Sequence, residues 1–409
     1  MARIDRIRLL EQLKSAASAA QARESVTFKQ SQLAEQEALG LPARERGAGI
    51  TAQLALARQE SPHLGARFVG LAEALVTELP HTMAALTAGI ISEWRATVVT
   101  RETACLTRED RARVDAHLAG RLAGMSNKQI ADEARKCAYE LDPYAAVARS
   151  RKAVEDRRVT MRPAPDTMAI VSALLPVAQG VALYAALKRE ADSKRAHGDE
   201  LTRGQVMADT LVERVTGQPK ADQVPLDIRL VMTDRALLTD DQTPARLDGY
   251  GAIPAPVARD LIRDLDEETR VRLRQLLTDP TTGRLTAMES VGRDFDGGLR
   301  TSVIVRDEFC RTPWCGAPIR HVDHAVPASA GGQTSEANGQ GLCEACNYAK
   351  EAPGWRSQPS PGGAGESISI TTPTGHTYIS PPPPLPGAPP RATKDLVEPK
   401  ERDLRPNAA

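Results

Sequence analysis

Aromatic side chains are scarce in this chain of 409 residues, with three tryptophans, six tyrosines and four phenylalanines making up 3% of it. Hydrophobic residues still reach 41%, enough for real cores, which must therefore rest on Leu, Ala, Val and Ile. Lysine is sparse beside abundant alanine and arginine, a usage that fits a GC-rich genome better than any function. No apolar run is long enough to span a bilayer, and no signal-peptide pattern opens the chain. These absences predict a cytoplasmic protein with no membrane partner. Cysteine numbers only six, and in a reducing compartment they are not a disulfide framework. No internal repeat of fixed period is present.

Charge of either sign is not in excess, since 53 Lys and Arg balance 53 Asp and Glu. Within 297–358, Arg300, Arg306, Arg311, Arg320, Lys350 and Arg356 are matched by Asp307, Glu308, Asp323, Glu336, Glu344 and Glu351. A basic excess or patch is the usual footprint of a nucleic-acid binder. Charge therefore gives no support to that function, and any case for it must come from site chemistry.

Residues 1–217 read as mostly helical. Ser61-Pro62 is an N-cap followed by a first-turn proline, and Leu64, Phe68, Leu71, Leu75 and Leu79 recur at helical spacing. Pro80 should end or bend that segment, and Gly89 should close the next. Ser92, Thr107 with Asp110, and Asp142-Pro143 mark further starts. Arg158–Leu175 is ambiguous, with a short hairpin around Pro163–Asp166 as one reading. Pro176–Ala196 reads as a helix with Val177, Val181, Tyr184 and Leu187 apolar, and Thr202 opens a last helix closed by Gly217. The stretch 218–296 changes character: a strand over Val224–Met232, a helix over Pro254–Leu265 and a hairpin over Leu276–Leu285. After Trp355, Ser367–Ile370 and His376–Ile379 could pair across Pro373–Gly375. From Pro381 the proline-rich tail should be extended or disordered.

Four cysteines crowd into a short stretch as Cys310-x4-Cys315 and Cys343-x2-Cys346. Two close thiol pairs about 30 residues apart have the spacing of a structural zinc site. Four thiolates fill a tetrahedron and leave no open position, so such a site explains folding and not catalysis. The other reading is two unrelated pairs of buried cysteines. Cys105 and Cys137 stand alone on expected helices and read as small core residues. Between the pairs lie Arg320-His321-Val322-Asp323-His324-Ala325-Val326-Pro327, a Gly331-Gly332 turn, Asn338 and Asn347-x2-Lys350. Asn347 and Lys350, three apart, share a helix face. A lone histidine is more often simply hydrogen-bonded in a core or at a surface. Lys350 alone reads equally well as a solvated helix residue, and Trp314 and Trp355 as packing around the zinc knuckle.

Asp323-His324, Asn338 and Asn347-x2-Lys350 resemble the HNH nuclease motif in its His-Asn-Asn form, and the framing cysteines resemble its zinc-bearing branch. The resemblance covers about 45 residues and implies a ββα-metal module, a β-hairpin followed by a helix gripping one divalent ion. It implies that His324 is the general base, a task suited to imidazole because it exchanges protons near neutral pH. Asp323 and Asn347 would hold Mg²⁺ or Mn²⁺ through hard oxygen ligands. Asn338 would fix the hairpin loop and orient His324, Lys350 could contact phosphate, and His321 is a neighbour. Gly339-Gln340-Gly341 stands where an apolar residue is usual, and two glycines are expected to loosen that stretch.

Ser61-Pro62, Leu75-Val76-Thr77-Glu78-Leu79-Pro80, Ala88-Gly89-Ile90-Ile91-Ser92-Glu93-Trp94, Arg203-Gly204-Gln205 and Ala208-Asp209 resemble the actinobacterial 13E12-repeat group. Asp279-Pro280-x2-Gly283 and Arg306-Asp307-x2-Cys310 match the same group's linker. The resemblance, over about 30–380, implies a helical domain of unknown function 222 ahead of a C-terminal HNH nuclease. The expected fold is α+β: helical domain 1–217, mixed linker 218–296, HNH module 297–358 with structural Zn²⁺, hairpin 359–380 and tail 381–409. The expected function is metal-dependent endonuclease cleavage of DNA, in a mobile element or in genome defence. Homo-oligomerisation would run through the helical domain. The alternatives are an inactive zinc-stabilised nucleic-acid-binding or scaffold protein, and a helical interaction protein with an incidental zinc knuckle.

Overall fold

The computed structural model describes residues 2–197, 200–218, 220, 230–263, 294–360 and 367–388. Helices open the chain: α1 (Arg3–Ala38), α2 (Ile50–Ala57), α3 (Pro62–Thr77), α4 (Pro80–Thr87), α5 (Glu93–Glu102), α6 (Arg108–Leu118), α7 (Asn127–Leu141) and α8 (Pro143–Ala153). A ribbon of β1 (Arg158–Ala164) and β2 (Met168–Leu174) leads into α9 (Val177–Ala196) and α10 (Arg203–Thr216). A small sheet follows from β3 (Leu230–Val231), β4 (Ala245–Leu247) and β5 (Gly251–Ile253), with α11 (Asp234–Leu238) and α12 (Ala255–Arg263). The C-terminal part holds α13 (Gly297–Asp307), β6 (His321–His324), β7 (Gly339–Leu342) and α14 (Glu344–Lys350). It continues with β8 (Arg356–Pro359), β9 (Ile368–Thr371) and β10 (Thr377–Ser380), a three-stranded sheet. This is the α+β class expected.

Local signals set most helix ends. The Ser92 and Thr107 side chains accept from the N–H groups of Arg95 and Asp110. Thr202 and Gln205 form a reciprocal capping box, and Gly217 closes α10 at φ 74°. Pro80 does end the preceding segment and also opens α4 at its first position, where a missing N–H costs nothing. The ambiguous stretch at 158–174 is an antiparallel ribbon. Of the strand expected over Val224–Met232 only Leu230–Val231 is seen, and 224–229 lie outside the described residues, as do the 276–285 hairpin and 389–409.

Packing divides the chain into two compact units, one of Met1–Thr27 with Val69–Arg272 and one of Phe28–Phe68 with Leu273–Ala409. The first has an Ala/Leu/Val core around Leu75, Leu79, Leu86, Val99, Val114, Leu118 and Ile130, with Cys105 and Cys137 packed against it. Asp115, buried on α6, accepts hydrogen bonds from the His81 and Thr82 N–H groups and caps α4 from a distance.

In the second unit α2 joins the C-terminal elements. The Thr374 hydroxyl donates to Gln53 Oε1 at 3.1 Å. Gly49, at φ 77°, passes so close to Trp355 that a Cβ there would collide with the indole. Trp355 in turn packs on Ala325, Ile368 and Ile370. Residues 28–68 thus group with the C-terminal elements. The helical pattern of that stretch specified an apolar face but not its partner.

Candidate metal centre and hairpin site

Cys310 and Cys315 flank the loop after α13, Cys343 immediately precedes α14, and Cys346 lies in its first turn. The four Sγ atoms lie within 4.8 Å of one another. Cys315 is 3.6 Å from Cys343 and 3.8 Å from Cys346. A tetrahedron with Zn–S bonds of about 2.3 Å has edges of about 3.8 Å, so the thiols already sit at zinc-site spacing. The hydrogen bond from Cys315 helps bring the Cys310 thiol down to about 7. Bonds from Cys310, Cys315 and Cys346 hold Cys343 well below the thiol range, while Cys315 and Cys346 are pushed up by the sulfurs they face. Sulfurs this close cannot all ionise without a cation among them. The cluster suits zinc.

Strands β6 and β7 pair antiparallel, with Asp323 opposite Gln340 and His324 opposite Gly339. The His324 ring is buried. Its Nε2 lies 3.0 Å from Thr334 Oγ1, and its plane is tilted 60° against Phe295 at 4.8 Å. Nδ1 stands 3.7 Å from Asp323 Oδ1, too far for a direct hydrogen bond. Asp323 Oδ2 pairs at 3.0 Å with Lys350 Nζ on α14. Burial opposes ionisation of Asp323, but the Lys350 ammonium and the His324 N–H outweigh it and hold the carboxyl below its ordinary value. Asn347, one turn before Lys350, has its Oδ1 buried with no hydrogen-bond partner.

Asn338 closes the hairpin loop. Its Nδ2 donates to Val326 O at 3.0 Å and Gln333 O at 2.9 Å, and its Oδ1 accepts from Val326 N–H at 2.8 Å. The structure thus brings Asp323, His324 and Lys350 together. Asn338 bonds to the loop backbone instead, and no hydrogen bond among the described residues joins its side chain to the ring. No hydrogen bond among the described residues joins His321 to this group. Thr334 and Phe295 hold the ring, yet the sequence reading did not single them out: a threonine after a glycine-rich turn reads as a turn former, and Phe295 lies 29 positions upstream of His324.

The two glycines of β7 do not loosen it. All four residues of the strand are buried. A Cβ on Gly339 would meet Phe295 at 2.7 Å and Val303 at 2.9 Å, and one on Gly341 would collide with Ile319. Glycine is there because neighbours press on the strand, the reverse of the slack expected.

A buried ion network ties α13 to the hairpin. Asp307 accepts from Arg306 Nε and Arg311 Nη1, both at 2.7 Å, and from the Gly341 N–H at 2.7 Å. Arg306 donates onward to the carbonyls of Glu336 and Gly339. Removing one member of such a set leaves uncompensated charge. Asp307→Ala is expected to destabilise the C-terminal unit by about 3–5 kcal/mol, read by urea denaturation. A loss under about 1 kcal/mol, the size of an exposed pair, would show that the network is not structural.

A metal-suited thiol cluster framing a hairpin and helix, with histidine and carboxylate side by side, defines a nuclease-type module. Residues 310–352 match the family described as HNH endonuclease. Residues 7–307 match the Domain of unknown function (DUF222), and the chain belongs to that DUF222 family. No curated protein and no solved structure matches the chain. Among the described residues no helix is long and apolar enough to cross a membrane.

Proposed function

We propose that the chain is a metal-dependent endonuclease that hydrolyses DNA phosphodiester bonds. The supporting observation is the set of Asp323, His324 and Lys350 in contact, beside an Asn347 oxygen that is buried and unsatisfied. A buried carbonyl oxygen without a donor is costly unless something binds it. One carboxylate and one amide oxygen suit a hard cation that keeps several waters, so Asp323 and Asn347 would hold Mg²⁺ or Mn²⁺. That ion would supply charge neutralisation at the scissile phosphate and the leaving oxygen.

His324 acts as general base. If Nε2–H donates to Thr334, the lone pair of Nδ1 is left to accept a proton. Lys350 neutralises Asp323 and, were a cation held by that carboxylate, would be free to contact a phosphate oxygen. Asn338 keeps the loop that carries Thr334 folded against β6. The four cysteines hold structural Zn²⁺ and keep α14 beside the hairpin.

Nicking of supercoiled plasmid by the full chain, across several divalent metals, tests this. Cutting that needs Mg²⁺ or Mn²⁺ is expected. Binding of DNA with no cutting under any metal would instead favour a zinc-stabilised binding module. Asn347→Ala should raise the metal concentration needed for half-maximal cutting by about tenfold or more, with zinc content unchanged. An unaltered metal requirement would remove Asn347 from the ion's shell.

A further inference from the structure

The β1–β2 ribbon and the start of α9 form a surface that stands exposed among the described residues. Cross-strand register puts Val159, Met161 and Pro163 on one face with Ala173, Val171 and Ala169. That face carries no polar side chain, and all six of its residues are exposed. An isolated two-stranded ribbon is marginal in water at best. The β1 edge is blunted by Arg158, Arg162 and Pro163, whereas β2 bears no charge and no proline. The hydrogen bond from the Tyr250 hydroxyl to Ala164 O touches only the tip.

Two residues after β2, α9 begins with a second exposed apolar stripe, Val177, Val181 and Tyr184, at i, i+4 and i+7. Only the later part of α9 is paired with α10, through Glu190–Arg214, Asp192–Arg203 and Lys194–Glu213. Together the nine side chains of the ribbon face and stripe, each more than a third exposed, leave a mostly apolar surface of roughly the 800 Å² that one partner of a standard interface contributes. The largest patch on a typical monomer is about 300–600 Å².

We propose that a second copy of this chain covers this surface. In a two-fold pair, the first half of α9 from each copy lies on the apolar ribbon face of the other. The occupant follows from complementarity. A bare sheet face needs an apolar helix stripe, and this chain carries both, two residues apart, without bringing them together. A two-fold axis satisfies both contacts at once with one self-complementary patch.

Sedimentation or light scattering of the full chain is expected to give twice the monomer mass of 44.0 kDa at micromolar concentration. Val171→Lys on the ribbon and Val181→Glu on the helix should each weaken pairing by tenfold or more. Combined, they should restore it in part, a recovery that simple misfolding cannot give. Thr160→Lys, on the ribbon's opposite face, should pair like the parent. Amide exchange in β2 should be slow in the pair and fast after dilution. A parent that stays at 44.0 kDa at high micromolar concentration overturns the proposal. So does a pair unaffected by Val171→Lys and Val181→Glu, or β2 protection that appears only when DNA is added.

Discussion

His324→Ala is expected to slow DNA cutting by about 10²–10⁴-fold, the usual worth of a positioned general base, while zinc content stays at one per chain. Of the groups in contact at the site, the His324 imidazole is the one suited to take a proton from water, since Asp323 is already committed to Lys350. With Asp323 held below its ordinary carboxyl value, it stays ionised well into acid. Loss of cutting as pH falls toward mild acid is therefore not expected to come from protonation of the Asp323 carboxylate. The substitution also removes the Thr334 bond and the Phe295 contact, so some stability is lost as well. Circular dichroism and zinc analysis on the same sample separate the two effects. Single-turnover nicking at the parent's rate by a folded His324→Ala protein would end the assignment of His324 as base.

The second large effect is on folding. Cys343→Ser or Cys346→Ser should release zinc and unfold the C-terminal module, because the energy of metal capture is folding energy in such sites. Zinc-finger peptides set the scale at about 10–16 kcal/mol of apparent binding at neutral pH, as large as the whole stability of a typical domain. The consequence reaches beyond the cluster. Cys343 and Cys346 anchor the start of α14, which carries Asn347 and Lys350. A chelator with reductant should reproduce the defect in the parent, and acid should promote it, since protons compete for thiolates. Elemental analysis of reduced parent protein showing no zinc, with the module still folded, would rule this site out.

Much of this was legible beforehand because it is local. Caps at Ser92, Thr107 and Thr202 and the left-handed Gly217 are written in three or four adjacent residues. The thiol pairs are legible because metal ligation needs few residue types at short spacing. What escaped depends on distant segments meeting. Asp115 caps a helix 33 residues away, and Thr334 and Phe295 grip His324 from separate elements. Gly339 and Gly341 look like flexibility in one dimension and are clearance in three. Arg306 and Asp307 read only as linker residues, since nothing local says that a charged pair goes inward.

That ion network also bears on how nucleases of this architecture can be exchanged between proteins. The match to DUF222 ends at residue 307 and the HNH match begins at 310, yet Asp307 on the near side binds Arg311 and Gly341 on the far side. A gene fusion that joined a new partner at that border, keeping only Cys310 onward, would inherit Arg311 without its counter-ion and β7 without its anchor. A breakpoint ahead of Gly297 carries α13 along and leaves the ion network's Arg306, Asp307 and Arg311 together. Recombination is thus constrained to treat α13 as part of the nuclease, whichever family its sequence is assigned to.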